Sequence, residues 1–482
     1  MRTFLRPAPA PARRLTAVVL AITPAITLMI ALTLAGCAST QPPTALPPAQ
    51  ALAQADVPLQ LPVAAGAPAD TAALGWTELV RSPQLRQWVA LALQHNRDLR
   101  VALLNVQRAQ AQLGLADANR LPVVGAGLSA ARAPNSRGDE ANALSAGLQL
   151  SAWEIDLFGR LASLSEAARA QLLASDAGRR ATELSLVAAV LQAGLALQAD
   201  DELLGLARQA LASREQTLQL TTLRESVGAA SLLELQAQQT LAAQARASIA
   251  QLSRQQAQDS NALALLLGQP VPAATLPPTG SAPLLADEAW LAEPPAGLSS
   301  AVLLRRPDVI AAEQTMRAAL ANIDAARAAF WPTITLTAQA GQASGQLAGL
   351  FAGGNFVYTA AASALVSVFD AGRRQANVAL AAANQQIAQA QYERAIQAAF
   401  RDTADALAGS ATWRAQLAAT IAQRDATRET ARLTELKASQ GAASALERLD
   451  AQRAGWAAEQ AVVQVRLGEL INRVALFKAL GR

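Results

Sequence analysis

The sequence predicts a mostly α-helical chain with a smaller β part, built as two repeats of helix, strand, strand, long helix and returning helix. Three observations support this fold class. Segments 157–222 and 371–437 are rich in Ala, Leu and Gln and contain no proline, which is typical of long helices. Short segments with alternating apolar and polar residues precede each of them. The two halves of the chain are also similar to each other.

The similarity of the halves first appears at an offset of 210 residues, where Pro122 corresponds to Pro332. Both prolines end a helical pattern, because the residue before a proline avoids helical geometry. A second match joins 227–231 to 440–444, and a short match after it is one residue out of step. The equivalent parts are helices near 81–118 and 306–329, β-hairpins near 121–153 and 332–369, and long helical hairpins at 157–267 and 371–478.

The amino terminus has the pattern of an export signal, with a basic start before an apolar stretch at 15–35. The stretch ends in Leu34-Ala35-Gly36-Cys37, which resembles the bacterial lipobox, whose cysteine receives the lipid that anchors the protein. Cys37 is the only cysteine, so a disulfide within the chain is excluded. The alternative is a plain transmembrane anchor with an incidental cysteine. The predicted organisation is signal peptide 1–36, lipidated tether 37–80, first repeat 81–268, linker 269–298 and second repeat 299–482.

Charge and motif content argue against several functions. The chain has 40 Lys and Arg against 36 Asp and Glu, and the excess lies within the predicted signal peptide, so nucleic-acid binding is not indicated. We find no zinc-binding cluster, phosphate-binding loop or nucleophile motif in the sequence. His95 and the acidic run Asp200-Asp201-Glu202 are interpreted as a structural residue and as solvated surface. We therefore expect no active site, metal or cofactor.

The alternating segments combine an apolar face with a face of small polar residues, most clearly in 144–152 and 333–340. Weaker strands are predicted at 122–131 and 356–369, with turns at 132–142 and 343–355. Strands of about ten residues suit a bilayer crossing, and no segment after residue 36 is expected to be a transmembrane helix. Four strands cannot close a barrel, and lipid does not tolerate open strand edges. Several chains should therefore combine their strands around a water-filled pore.

Three motifs carry a resemblance to a known family: Trp153-Glu154-Ile155-Asp156-Leu157-Phe158-Gly159-Arg160, Leu304-Arg305-Arg306-Pro307-Asp308 and Ala475-Leu476-Phe477-Lys478-Ala479-Leu480-Gly481. Nearly the whole chain after residue 36 resembles the TolC-like outer-membrane factors, and most closely their lipoprotein efflux branch, the NodT family. The resemblance implies a homotrimer with a twelve-stranded transmembrane barrel, four strands per chain, continued by an α-helical periplasmic tunnel. It also implies two partners, a periplasmic adaptor and an inner-membrane resistance-nodulation-division pump, and passive passage of small molecules.

The same resemblance aligns Leu446, Asp450 and Arg453 with the family's periplasmic gate. Their spacing places all three on one face of a helix. In a trimer, three copies of Asp450 would form a carboxylate ring and three of Leu446 an apolar constriction, which resists wetting. The alternative is an ordinary surface ion pair between Asp450 and Arg453, which contributes a few tenths of a kcal/mol.

The far ends of the long helical hairpins are the second candidate site, because in the family these ends meet the adaptor. The residues concerned are Val227, Gly228 and Ala229 in the first repeat and Gln440, Gly441 and Ala442 in the second. The two glycines could equally serve only to reverse the chain. Four aromatic residues near strand ends fit either a membrane-interface belt or packing at the joint between strands and helices: Trp153, Phe330, Trp331 and Tyr358.

Two other functions remain open at the level of sequence. One is a duct for type I protein secretion, although lipidation and the Arg305-Arg306-Pro307-Asp308 run favour the efflux branch. The other is a structural coiled-coil lipoprotein without a pore, which predicts no stable trimer and no conductance in planar bilayers. The exported substrate cannot be read from the sequence.

Overall fold

The computed structural model describes residues 75–134, 140–273, 290–292 and 300–481, together with Gln50, Ala53 and Ala55. The predicted signal peptide and the predicted lipidation site Cys37 lie outside the described residues.

The described residues form eight α-helices and four β-strands, in an order that repeats. The first half contains α1 (Trp76–Leu79), α2 (Pro83–His95), α3 (Arg97–Ala118), β1 (Val124–Pro134), β2 (Glu140–Ile155), α4 (Arg160–Ser226) and α5 (Leu232–Leu267). The second half contains α6 (Pro307–Ala328), β3 (Thr333–Ser344), β4 (Phe356–Leu365), α7 (Arg373–Ser439) and α8 (Ala445–Leu480). Short 3-10 helices lie at Ser300–Arg305 and Leu347–Gly349.

The long helices of the two halves match residue for residue. Helices α4 and α7 each have 67 residues, and α5 and α8 each have 36 residues. At 1.5 Å per residue, the longer pair reaches about 100 Å. Helix α7 begins and ends 213 residues after α4, and α8 begins and ends 213 residues after α5. The one-residue slip in the sequence alignment after the hairpin ends therefore has no counterpart in the helix boundaries.

The structure corrects several predicted boundaries. The helix predicted at 81–118 is interrupted at Asn96, whose side chain caps α3 by accepting a hydrogen bond from the backbone N–H of Leu99 at 2.9 Å. Strands β1 and β2 extend into the predicted turn 132–142, and β4 ends at Leu365, four residues early. The predicted tether at 37–80 contains the short helix α1. Within the same segment, Ala55 is buried, and its backbone carbonyl accepts a hydrogen bond from the Gln397 side chain.

The predicted linker also contributes to the folded core. Val80 and Leu291 form an antiparallel bridge, in which Arg81 donates its backbone N–H to the carbonyl of Trp290 at 3.0 Å. Trp290 and Leu291 are both buried. The start of the first repeat is thereby attached to the segment that joins the repeats.

The four strands form one antiparallel sheet in the order β1-β2-β3-β4, so the two hairpins are joined through β2 and β3. A β-bulge between Leu150 and Trp153 interrupts the register, and Ala152 there has a left-handed φ of 42°. Since a bulge inserts an extra residue, it moves later side chains to the other face. The strict alternation predicted through Ala152 is therefore wrong, and Trp153 pairs with Leu336 on the apolar side.

The two faces of the sheet differ in chemistry, as the alternation predicts. On the polar face, the hydroxyls of Ser129 and Ser145 lie 2.7 Å apart, as do those of Thr335 and Ser363. On the other face, apolar residues pair across strands, for example Leu128 with Ala146. Within the described chain, β1 and β4 each pair along one side only. The sheet therefore has two edges with free backbone hydrogen-bonding groups.

The main core lies where α2 and α5 meet the middle of α4. Trp88 and Leu85 of α2 are fully buried against Leu191 and Leu195 of α4, and α8 adds further apolar residues. This approach depends on Gly194, because a Cβ there would lie 2.7 Å from Leu85 Cδ2 and 3.0 Å from the Trp88 ring. The equivalent core of the second half is smaller and is centred on buried residues Leu303, Val309 and Ile396.

In both halves, a side chain near the start of the repeat donates a hydrogen bond to a carbonyl at the end of the returning helix. In the first half, Asn96 donates its side-chain N–H to the carbonyl of Leu266 at 3.0 Å. In the second half, Arg306 donates to the carbonyl of Ala479, also at 3.0 Å. Leu266 and Ala479 are the next-to-last residues of α5 and α8, where helix carbonyls lack partners within the helix. The start of each repeat thus holds the end of its own returning helix.

Within the described residues, α4 alone is long and apolar enough to span a membrane by length and composition. This was not expected from the sequence. Half of its apolar window is buried inside the protein, as in the core helix of a folded domain.

We predict that Gly194→Ala lowers the thermal midpoint of the protein, because the added methyl group overpacks the core beside Trp88, typically at a cost of about 1–3 kcal/mol. The matched control is Gly205→Ala on the same helix, where nothing lies within 4 Å of an added Cβ. This control should be neutral or stabilising by up to about 1 kcal/mol, from helix propensity. Helical circular dichroism during heating measures both. Equal midpoints for the two variants would contradict the packing role of Gly194.

Candidate functional site

The far ends of the helical hairpins are reversed by the same backbone motif. Gly228 and Gly441 have left-handed φ values of 74° and 73°. The N–H of Ala229 bonds to the carbonyl of Arg224 at 2.7 Å, and Ala442 bonds to Lys437 at 2.8 Å. These are Schellman motifs, in which glycine avoids the steric penalty of the left-handed geometry. Gly228 and Gly441 therefore serve to reverse the chain, which is the interpretation that does not involve a partner.

The returning helices begin with equivalent caps. The hydroxyl of Ser231 accepts from the backbone of Glu234, and that of Ser444 accepts from the backbone of Glu447. Ser444 and Glu447 form a complete capping box, because the Glu447 carboxylate also accepts a hydrogen bond from the Ser444 backbone N–H at 2.7 Å. That bond, and then the Ser444 hydroxyl, hold the pKa of Glu447 below its usual value.

The surfaces of the two ends differ. All six residues predicted to contact a partner are exposed: Val227, Gly228, Ala229, Gln440, Gly441 and Ala442. The first end also exposes a group of large apolar side chains, namely Leu223, Val227, Leu232 and Leu233. Sequence reasoning missed this group, although two adjacent leucines directly after the Ser231 cap were a visible signal.

The predicted gate residues lie on the first turns of α8. Leu446 is the second residue of α8 and is 68% exposed. Asp450 and Arg453 form an ion pair at 3.5 Å and are both well exposed. Leu446, Asp450 and Arg453 therefore share one helix face in the structure. Within a single chain, this arrangement suits a surface ion pair and a gate face equally.

A groove between the two helical hairpins borders the helix face that carries Asp450 and Arg453. It has a volume of about 560 Å³ and lies between α4, α5 and the start of α8. Asp450 and Arg453 line it from α8, and Arg214 lines it from α4. Burial, and then the charge of Arg453, lower the pKa of Arg214. The sequence gives no signal for Arg214, because only the packing of the two hairpins brings it to the gate face.

One known protein family matches the chain in two segments, one in each repeat. A family model described as "Outer membrane efflux protein" matches residues 88–269 and 298–482. The chain belongs to this family. The two matched segments correspond to the two repeats, so each half of this outer membrane efflux protein carries the family pattern.

Relatives with curated names are similar over most of their length. The chain is 40% identical over 425 residues to "Toluene efflux pump outer membrane protein TtgC" of Pseudomonas putida, covering 86% of each chain. It is 35% identical over 453 residues to "Probable outer membrane lipoprotein SilC" of Salmonella typhimurium, covering 93% of this chain and 96% of SilC.

Solved structures show the same fold. The open state of the MtrE outer membrane channel of Neisseria gonorrhoeae superposes with a TM-score of 0.78 at 34% identity, covering 88% of this chain and 96% of MtrE. The predicted fold class, the outer-membrane location and the role as an outer membrane efflux component are confirmed by these comparisons.

The motifs that carried the resemblance lie at joints of the outer membrane efflux protein. Glu154 forms an ion pair with Arg160 at 2.6 Å, and Asp156 accepts from the backbone N–H of Ala162 at 2.7 Å, so this motif fastens β2 to the start of α4. Arg306 is 5% exposed and also pairs with Asp308 at 2.8 Å. A buried guanidinium needs such partners, because an unpaired buried charge is costly.

Three of the four aromatic residues near strand ends have contacts that place them at the joint between strands and helices. Trp153 donates its indole N–H to the carbonyl of Arg120 at 3.0 Å. Trp331 stacks on Phe158 with ring centroids 5.3 Å apart, and the Arg374 guanidinium lies over the Phe330 ring at 5.2 Å. Tyr358 is exposed.

The acidic run at 200–202 is not only surface, contrary to the sequence interpretation. Asp200 is 7% exposed, and burial, together with a hydrogen bond and charge contact with Asp259 of α5, raises its pKa to about 7. Two carboxylates in contact inside a protein favour sharing one proton. Among the described residues, no group of three or more His, Cys, Asp and Glu side chains is placed to hold a metal ion.

We predict that the stability of the first helical hairpin falls as the pH rises from about 4 to about 7 and then levels off. The pKa of Asp200 is raised in the folded protein from its ordinary value of 3.8 to about 7, so the fold binds this proton more tightly than the unfolded chain does. Asp200→Asn should remove this part of the pH dependence in thermal melts, whereas Asp201→Asn should keep it. An unchanged pH profile in Asp200→Asn would show that Asp200 does not carry the effect.

Proposed function

We propose that three copies of this chain form one conduit through the outer membrane and the periplasm, through which small molecules leave the cell passively. The observation that carries the proposal is the four-stranded sheet with two edges and a polar face. Lipid requires all backbone groups to be satisfied, so the edges must pair between chains. Three chains supply twelve strands, enough for a closed barrel with a polar lumen.

The long helices support the second part of the conduit. Helices α4 and α7 leave the sheet and extend about 100 Å, beyond the thickness of any bilayer. Three pairs of hairpins would continue the pore as a periplasmic tunnel. No catalytic step is needed for passive passage, and we expect no enzymatic activity. Relatives named as efflux pump components favour efflux over type I protein secretion.

The hairpin ends are where we expect a periplasmic adaptor to bind, linking the conduit to a resistance-nodulation-division pump in the inner membrane. The exposed apolar group at the first end, with Leu232 and Leu233, supports this assignment, because exposed apolar groups mark interaction sites. The second end also exposes Leu436 and Leu446, but it carries Gln440 at the position of Val227 and is therefore less apolar. The two ends would therefore contact the adaptor in different ways.

Cys37 is proposed as the lipid-bearing residue that anchors the trimer in the outer-membrane lipid. The lipobox pattern supports this, and so does the similarity to a relative named as an outer membrane lipoprotein. Several acyl chains per trimer give stable anchoring. Mass spectrometry of the mature protein tests the assignment, and an unmodified Cys37 would contradict it.

The gate is assigned to Leu446, Asp450 and Arg453 at the periplasmic end of the conduit. Only the second repeat has this combination. At the offset of 213, Leu446 corresponds to Leu233, whereas Asp450 corresponds to Ala237. A closed end would therefore depend on the second hairpin of each chain, and gating would be asymmetric between the two hairpins.

We predict that the double variant Leu446→Ala and Asp450→Ala increases the single-channel conductance of the purified trimer in planar bilayers. The reason is that it removes both the apolar constriction and the carboxylate ring. Leu233→Ala removes the equivalent side chain of the first hairpin and should leave the conductance unchanged. An unchanged current in the double variant would rule out the gate assignment, whereas absence of any trimer or current in the natural chain would rule out the conduit.

A further inference from the structure

The groove between the hairpins carries two arginines from different hairpins. Arg214 belongs to α4 of the first hairpin, and Arg453 belongs to α8 of the second. Each is a planar cation with five N–H donors, suited to a two-pronged contact with a carboxylate or phosphate. The two guanidinium groups are close enough for Arg453 to lower the pKa of Arg214. Two like charges that line the same groove repel each other, and this repulsion acts between the hairpins.

The negative charge in the groove does not balance these two cations. Asp450 is the only acidic residue that lines the groove within the described chain, and it pairs with Arg453 at 3.5 Å. Arg214 forms no ion pair among the described residues, and its Nη1 donates to the backbone carbonyl of Leu241 at 3.0 Å. A neighbouring arginine behaves differently, since Arg246 pairs with Glu215 at 2.7 Å outside the groove. The groove therefore keeps one positive charge in excess.

The remaining lining offers space and neutral polar groups. Ala207 and Ala210 face the groove on α4, and their small side chains leave the volume of about 560 Å³ open. Gln244 and Gln460 add side-chain amides that can donate hydrogen bonds, whereas the Ser248 hydroxyl already donates to the Gln244 carbonyl at 3.0 Å. A small anion with several acceptor oxygens would satisfy the free donors of Arg214 and reduce the repulsion from Arg453.

We propose that this groove binds a small oxyanion of the phosphate or carboxylate type between Arg214 and Arg453. The anion would bridge the first and second hairpins at the level of Asp450. Its binding depends only on the groove. Any influence of the bound anion on opening of the conduit rests on the proposed gate, because the anion would hold the first half of α8 against α4.

The test is isothermal titration of the full-length trimer in detergent with inorganic phosphate, and separately with acetate, at constant ionic strength and pH 7. Saturable binding of either anion is expected. Arg214→Gln and Arg453→Gln should each weaken it at least about tenfold, because each removes a charge-assisted contact. Arg214→Lys should bind with intermediate affinity, since it keeps the charge but loses the planar fork. Phosphate binding without acetate binding would identify a phosphate site, and the reverse a carboxylate site.

Two controls separate a site from general charge effects. Arg246→Gln removes the same charge on the neighbouring helix outside the groove and should bind like the natural chain. Asp450→Ala removes the competing carboxylate and should bind more tightly, an effect that a loss of structure would not produce. Trimer content and helical circular dichroism verify that each variant is folded.

The proposal is overturned if the natural trimer shows no saturable binding, or if Arg214→Gln, Arg453→Gln and Arg246→Gln bind equally well. Its failure is distinguishable from that of the gate. Conductance of the Leu446→Ala and Asp450→Ala variant reports on the gate in the absence of added phosphate and acetate, whereas titration reports on the anion whether or not the channel opens.

Discussion

The two edges of the four-stranded sheet are the constraint on which the rest of the molecule depends. A strand edge in lipid exposes backbone N–H and C=O groups that water cannot reach, and each unsatisfied group costs several kcal/mol. One chain supplies β1 and β4 as edges, and it has no further strand among its described residues to cover them. Assembly follows from this requirement. The polar face of the same sheet then becomes the wall of a pore, and the helices must continue that pore.

Hydrogen bonds and an ion pair hold the ends of the long helices in place. Each repeat fastens its returning helix by a side chain at the start of the repeat, Asn96 in the first and Arg306 in the second. The Glu154–Arg160 pair fastens the first long helix to β2. The joints at Arg306 and at Glu154–Arg160 lie within motifs that carry the family resemblance, whereas the joint at Asn96 lies outside them. These two motifs therefore contain residues that hold the helices in place.

Much of the fold could be predicted from the sequence, because proline-free segments and two-residue alternation report directly on local geometry. The bulge at Ala152 was missed, since alanine gives no sign of a left-handed conformation. The break at Asn96 was missed because the apolar pattern continues across it. Burial of Asp200 and the position of Arg214 depend on helices that are distant in sequence, so no local pattern reveals them. The gate assignment came from resemblance, and its exposed residues still allow both interpretations within one chain.

In the proposed trimer, β4 of one chain pairs with β1 of the next until three chains close the ring. Disulfide crosslinking tests this most directly, with one cysteine placed in β1 and one in β4 over several registers, in the protein as assembled in outer membranes. A closed ring of three chains gives a ladder of one, two and three crosslinked chains on denaturing gels, ending at three. Crosslinks confined to single chains, or a ladder that continues beyond three, would contradict it.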